Sequence, residues 1–132
     1  MITKKGFTLM ELTIVLAILA IIAVILIPTF LNTTDRARLR SDIQSARAIQ
    51  NAMDLYRAER NPISTWGANV TTELLRDLYR AGYFSVENPL PQTEGAAWGT
   101  NASGHVVVNI SGSPENIRSI NLPAAEDAFV IR

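Results

Sequence analysis

Residues 6–31 read GFTLMELTIVLAILAIIAVILIPTFL, and this stretch sets the fold class of the chain. From Leu12 to Leu31 it carries no charged side chain. About twenty apolar residues are enough for one helix to cross the hydrocarbon core of a membrane, which is roughly 30 Å thick. Lys4 and Lys5 stand just before the run. Because cytoplasmic flanks are enriched in basic residues, this predicts a cytoplasmic N-terminus and an exported C-terminal part.

Three kinds of N-terminal segment share this pattern: a cleaved secretory signal, an ordinary signal anchor and a specialised precursor. A secretory signal has an apolar core of about 7–15 residues followed by small residues in an A-x-A pattern. Here the apolar run is longer, and Ala17, Ala20 and Ala23 are spaced by three rather than two. The pattern therefore disfavours the plain secretory signal and leaves the other two open.

The polar stretch that follows keeps helical periodicity. Its apolar residues recur at spacings of three and four, as on one face of a helix: Leu39, Ile43, Ala46, Ile49, Met53 and Tyr56. The charged residues between them are predicted on the other faces: Arg40, Asp42, Arg47, Asp54 and Arg57. No glycine interrupts residues 7–60, and Asn61-Pro62 should end the helix. A helix of roughly fifty residues is about 75 Å long, so half of it should lie outside a small domain.

A second, shorter helix is predicted over residues 71–81. Thr71 or Thr72 can cap its start, because their hydroxyls accept hydrogen bonds from free backbone N–H groups. Gly82 suits the position just past its end, where the backbone often turns left-handed. Leucines at helical spacing give this segment one apolar face.

The C-terminal part predicts short strands. Alternation and turn residues place a turn at residues 101–104 and strands near 97–99, 105–110 and 128–131. Ser113 as N-cap with Pro114 in the first turn favours a short helix over 114–121, and a further strand is the alternative. A small sheet needs a covering element. We therefore expect an α+β fold, in which a small antiparallel sheet packs on the distal half of the long helix.

Glu11 is the one carboxylate within residues 7–31. Near the centre of a membrane helix a charge costs at least about 2.5 kcal/mol, whereas at headgroup level the cost is small. No Lys or Arg lies in the same stretch to offset it. If the chain were cut between Gly6 and Phe7, the new α-amino group of a neighbouring copy could pair with Glu11 and cancel both charges. This hypothesis predicts polymerisation.

The segment KKGFTLMEL, from Lys4 to Leu12, resembles the class III signal motif of type IV prepilins and type II secretion pseudopilins. The resemblance extends over about residues 4–60 and becomes vague beyond them. It implies that a membrane aspartyl peptidase cuts between Gly6 and Phe7 and then methylates the new N-terminus.

The resemblance also implies roles inside the long helix. Glu11 would aid recruitment and subunit register. Pro28 stands where this family usually has proline, and it either kinks the helix or marks a stretch that loses helical hydrogen bonds in the filament. The implied organisation is pilin-like. Residues 1–6 would be a leader that is removed, and residues 7–31 the helix half for the membrane and the filament core. Residues 32–132 would form the head, which includes the amphipathic helix half at residues 32–60.

The implied function is a structural filament subunit of a type IV pilus. Such a chain starts as a single-pass precursor in the cytoplasmic (inner) membrane, N-terminus inside, and ends in an extracellular or periplasmic filament. Its partners would be other copies of itself, the prepilin peptidase, a pilus or secretion assembly platform and minor pilins. The alternatives are a pseudopilin of a type II secretion or competence (DNA-uptake) system, or a minor pilin or adhesin.

Composition argues against other classes of protein. Twelve basic and twelve acidic residues give no net charge, so no nucleic-acid site is indicated. The chain has no cysteine and one histidine, and no set of catalytic residues stands out, so we do not expect an enzyme. No cofactor is predicted. Calcium needs six or more oxygen ligands, and the sequence offers only the acidic pair Glu126-Asp127.

Overall fold

The computed structural model describes residues 5–60 and 70–132 of the chain. Four helices and three strands follow in the order α1 (Leu9–Arg60), α2 (Thr72–Arg80), β1 (Ala97–Thr100), β2 (Val106–Asn109), α3 (Glu115–Arg118), α4 (Ala124–Asp127) and β3 (Val130–Ile131). The residues form two compact units, one ending at Thr34 and the other running from Asp35 to Arg132. The predicted helix end at Asn61-Pro62 lies outside the described residues. The predicted α+β class is confirmed.

Helix α1 is continuous over 52 residues, as its uninterrupted periodicity predicts. Within the second unit its predicted apolar stripe is buried: Leu39, Ile43, Ala46, Ile49 and Met53, with Tyr56 packed at the margin. The arginines predicted on the other faces, Arg40, Arg47 and Arg57, are exposed. This half of the helix therefore supplies one wall of the core.

The sheet has the order β1-β2-β3 and is mixed. Strands β1 and β2 are antiparallel, with Trp98 opposite Val108, and they are joined by the predicted turn, in which Gly104 N–H donates to the Asn101 carbonyl at 2.9 Å. Strand β3 is parallel to β2, with Val130 opposite Val108. The prediction of an antiparallel sheet is thus wrong for this pair. The long connection through α3 and α4 returns the chain to the same end of the sheet, which a tight hairpin cannot do.

The remaining buried core residues come from α2, β2, α3 and the segments that follow β2 and α3, and Trp98 of β1 and Val130 of β3 pack against them. Helix α2 contributes Leu74, Leu75 and Leu78, and its predicted cap is confirmed, since Thr71 Oγ1 accepts from Leu74 N–H at 3.3 Å. The other buried apolar side chains are Val106, Val108, Ile110, Ile117, Ile120 and Leu122. The core therefore joins α1, α2, the sheet and the segment that leads to β3.

Helix α3 is shorter than predicted and begins later. It covers Glu115–Arg118, and Pro114 rather than Ser113 occupies the N-cap position. Ser113 is buried, and its hydroxyl has no hydrogen-bond partner within the described residues. Helix α4 was not predicted from the sequence. Its four residues include the acidic pair of the C-terminal segment.

Asp42 corrects the predicted division of α1 into apolar and charged faces. Its residue is 1% exposed, and its two carboxylate oxygens accept hydrogen bonds from Gln92 N–H at 2.7 Å and Thr93 N–H at 2.8 Å. A buried carboxylate is tolerated when it is fully hydrogen-bonded. Asp42 therefore ties the loop before β1 to the helix.

We predict that Ile49→Ala lowers the free energy of unfolding of the head by about 2–5 kcal/mol, because it opens a cavity in the core. Leu55→Ala, on the same helix, is the matched control, since Leu55 is 55% exposed. Denaturant unfolding of the full chain in detergent, followed by tryptophan fluorescence, measures both. Equal shifts for the two variants would show that the stripe is misassigned.

Asp42→Asn should lower the free energy of unfolding by about 1–3 kcal/mol, because an amide has one oxygen and leaves one buried N–H without an acceptor. Asp54→Asn is the control, since Asp54 is exposed and its carboxylate is bound only by side chains, Gln50 at 3.0 Å and Arg57 at 3.5 Å. The same unfolding assay applies. An Asp42 variant as stable as the control would contradict the anchoring role.

Candidate functional site

The start of helix α1 brings the predicted processing and assembly residues together. The helix begins at Leu9, and the residues from Lys5 to Thr8 are exposed and belong to no helix or strand. Phe7 is 94% exposed. The Gly6–Phe7 peptide bond therefore lies just before the helix, in a segment whose backbone is accessible.

Thr8 and Glu11 form a reciprocal cap at this helix start. Glu11 N–H donates to Thr8 Oγ1 at 3.2 Å. In return, Glu11 Oε2 accepts from Thr8 N–H and from the Thr8 hydroxyl, both at 3.2 Å. This is the capping-box arrangement, in which the N-cap and third helical residues satisfy each other's free N–H groups. It holds the Glu11 carboxylate at the helix start, close in sequence to Phe7.

The carboxylate keeps one oxygen available. Glu11 Oε1 has no hydrogen bond or ion pair within the described part of the chain. The same end of the helix bears a concavity of about 440 Å³ lined by Phe7, Glu11, Leu12, Ile14 and Val15. An apolar notch with one carboxylate oxygen at its edge can hold a cation that carries an apolar group.

Beyond Glu11 the first unit of the chain presents apolar side chains on all sides. One stretch of α1 is long and apolar enough to cross a membrane, with a mean hydropathy of 3.1 and none of that window buried. Its threonine hydroxyls donate to backbone carbonyls one turn earlier, for example Thr13 to Leu9 at 2.8 Å and Thr33 to Thr29 at 2.9 Å. Hydroxyls satisfied within the helix add little cost in an apolar environment.

Pro28 lies inside α1 and does not end it. Proline has no N–H, so the Val24 carbonyl receives no helical hydrogen bond from it. Pro28 is several turns away from Glu11 and is not part of the same site. Its predicted role in kinking or local loss of helix stays a prediction.

Known proteins resemble the chain in this N-terminal region. The family profile of the prokaryotic N-terminal methylation motif matches residues 1–27. The prepilin peptidase-dependent protein A of Clostridium perfringens is 45% identical over 56 residues, which are 42% of this chain and 40% of that protein. Over the matched residues, the chain is similar to the pilin and pseudopilin family.

Two further proteins that are similar to the chain carry different names. The type II secretion system core protein G of Aeromonas hydrophila is 31% identical over 62 residues, 47% of this chain and 43% of that protein. A type IV narrow pilus major component of Thermus thermophilus is 36% identical over 61 residues, 46% of this chain and 53% of that protein. The chain thus matches about half or less of the length of these relatives. No solved structure matches it significantly.

The head has a second concave surface, a groove of about 480 Å³. The Arg47 guanidinium lies 4.5 Å from the centre of the Phe129 ring, a cation–π contact. Gln50 lines the same groove and accepts from Val106 N–H at 2.8 Å, so it serves the fold. His105 is exposed at the edge. The groove is open, and among the described residues it holds no nucleophile paired with a base.

The acidic pair considered for calcium is engaged in ion pairs. Arg40 Nε lies 3.2 Å from Glu126 Oε2, and Arg132 binds Asp127. Over residues 5–60 and 70–132, no group of three His, Cys, Asp or Glu side chains is placed to hold a metal ion. The expectation of no cofactor stays a prediction.

The sequence analysis located Gly6, Phe7 and Glu11 but missed Thr8. The missing signal was local: Thr8-Leu9-Met10-Glu11 has the S/T-x-x-E pattern of a capping box directly before an apolar run. Glu11 was interpreted as a costly charge that the amine of a neighbouring copy could balance, and not as part of a helix cap. The structure shows that the same carboxylate also begins the helix.

Proposed function

We propose that this chain is a structural filament subunit, cut after Gly6 and polymerised through helix α1. The geometry of the helix start supports this proposal. The exposed Gly6–Phe7 bond is followed by Glu11, whose Oε1 has no partner among the described residues, and then by the apolar part of α1. The methylation motif over residues 1–27 supports processing at this place. The names of the relatives, a pilus component and a secretion-system core protein, support assembly.

Charge pairing explains why assembly would depend on Glu11. In a packed core of apolar helices there is no water, so an ionised carboxylate without a partner is expensive. Residues 7–31 contain no other charge. Cleavage creates a cation at the Phe7 α-amino group, and a neighbouring copy can place that amine against Glu11. Two buried charges are tolerated together when they are close and hydrogen-bonded.

The exposed apolar half of α1 supports a membrane-anchored precursor. Lys5 and Lys4 favour an N-terminus on the cytoplasmic side of the inner membrane, and a head on the other side. In the filament the apolar half would exchange lipid for neighbouring helices. The partners proposed are other copies, the prepilin peptidase, minor pilins and an assembly platform. No enzymatic role and no cofactor are proposed.

A pseudopilin of a type II secretion system is the second candidate. It is favoured by the 31% identity to core protein G of Aeromonas hydrophila over the N-terminal half. Deleting the gene distinguishes the two roles. Loss of surface filaments with normal protein secretion supports a pilin, whereas retained surface filaments with secreted proteins trapped inside the cell support a pseudopilin.

We predict that assembled material contains a chain that starts at Phe7 and carries one added methyl group. The prediction follows from the exposed Gly6–Phe7 bond and the methylation motif. Intact-mass analysis of sheared filaments measures it, and the membrane fraction of cells without the peptidase is the control. Mature filaments that begin at Met1 or Ile2 would contradict the prediction.

Glu11→Ala should leave membrane insertion intact, because the segment becomes more apolar. Cleavage after Gly6 should also continue, while the filament yield should fall at least about tenfold, the effect of roughly 1.4 kcal/mol on assembly. An immunoblot for processed protein beside a sheared-filament preparation measures both. Normal filament levels from this variant would show that the carboxylate does not control assembly.

A further inference from the structure

We infer that Thr8 is a positioning residue for assembly, which holds the Glu11 carboxylate over the start of its own helix with one oxygen free to receive the amine of a neighbouring copy. The inference rests on the proposed function and adds a residue to it. Thr8 acts through Glu11 and need not touch the neighbouring chain.

The two carboxylate oxygens of Glu11 differ in their hydrogen bonds. Oε2 accepts both from Thr8 N–H and from the Thr8 hydroxyl at 3.2 Å. Oε1 is left without a partner in the described residues. A carboxylate held by one oxygen can still accept a charge-assisted hydrogen bond at the other. The cap therefore orients the group for an incoming ammonium and remains in place when it arrives.

Pre-orientation matters because a free glutamate side chain has many rotamers. Ordering it when the amine binds would oppose assembly through lost conformational entropy. The two bonds to Thr8 impose that order beforehand. A neighbouring copy then meets a carboxylate of defined position, which selects one axial offset between the two helices.

The helix dipole gives a second reason for this position. The free N–H groups at a helix start carry partial positive charge, which repels an approaching ammonium. A Glu11 carboxylate held over the first turn offsets this charge. In a rotamer that points along the apolar helix, the same carboxylate would not offset this positive charge, and the helix start would repel the approaching amine.

Four variants of the full chain, expressed with the peptidase and assembly proteins, test the inference. Thr8→Val removes the hydroxyl and keeps the shape of the side chain, whereas Thr8→Ser keeps the hydroxyl. Thr8→Asp keeps a good N-cap acceptor, but its side chain cannot donate to Glu11, so only the backbone N–H bond to Oε2 remains. Thr13→Val is the matched control. It also removes a threonine hydroxyl near the start of α1, but this hydroxyl donates to the Leu9 carbonyl and not to Glu11.

Thr8→Val should give a filament yield at least roughly fivefold lower, because it removes both hydrogen bonds of the hydroxyl, the one to Glu11 Oε2 and the one from Glu11 N–H. Thr8→Asp should also assemble poorly, while Thr8→Ser and Thr13→Val should match the unchanged chain. Intact mass should show that all four are cut after Gly6. This pattern separates positioning of Glu11 from simple helix capping, which Asp would satisfy.

Three results would overturn the inference. Normal yield from Thr8→Val would show that the hydroxyl is not needed, and normal yield from Thr8→Asp would reduce Thr8 to a helix cap. Failure of Thr8→Val to be cleaved would place the hydroxyl in processing instead of assembly. Failure of the proposed function is distinct, because the unchanged chain itself would then be uncut or form no filaments.

Discussion

The structure of the head depends on the apolar stripe of helix α1. Without Leu39, Ile43, Ile49 and Met53, the three short strands and α2 would have no common surface to pack on. Burying side chains of this size contributes about 1.5–3 kcal/mol each, and a small sheet has too little area of its own. The stripe also determines where the loop before β1 binds the helix. Asp42 lies beside the stripe and accepts hydrogen bonds from the N–H groups of Gln92 and Thr93 in that loop.

A different constraint governs the N-terminal half of α1. There the side chains are apolar on every side, and within the described chain they are not buried. The single carboxylate at its start accepts a hydrogen bond from the Thr8 N–H group and carries a charge that residues 7–31 do not otherwise balance. The Glu11 carboxylate thus caps its own helix, and its charge requires a cation from outside the helix. Both tasks use the same position because a helix start is where a negative charge is most favourable.

The strongest similarities to known proteins cover part of the molecule: the profile matches residues 1–27, and the relatives that are 31–45% identical match 42–47% of the chain. The profile does not include the mixed sheet, the short helices α3 and α4 or the groove beside Arg47. A head that packs by general apolar burial can change its surface more freely than a helix that must fit its neighbours along its whole length.

The sequence by itself determined the long helix, its two halves, the buried stripe and the cap at Thr71, because each depends on residues three or four positions apart. The sequence also predicted roles for Gly6, Phe7 and Glu11 that stay predictions, and it contains the T-x-x-E capping pattern that begins at Thr8. Only the tertiary structure decided the parallel pairing of β2 with β3 and the burial of Asp42. Both depend on groups far apart in the chain: a long crossover brings Val130 beside Val108, and loop N–H groups fifty positions later satisfy Asp42. Local pattern cannot specify such contacts, since they form only when the core has brought distant segments together.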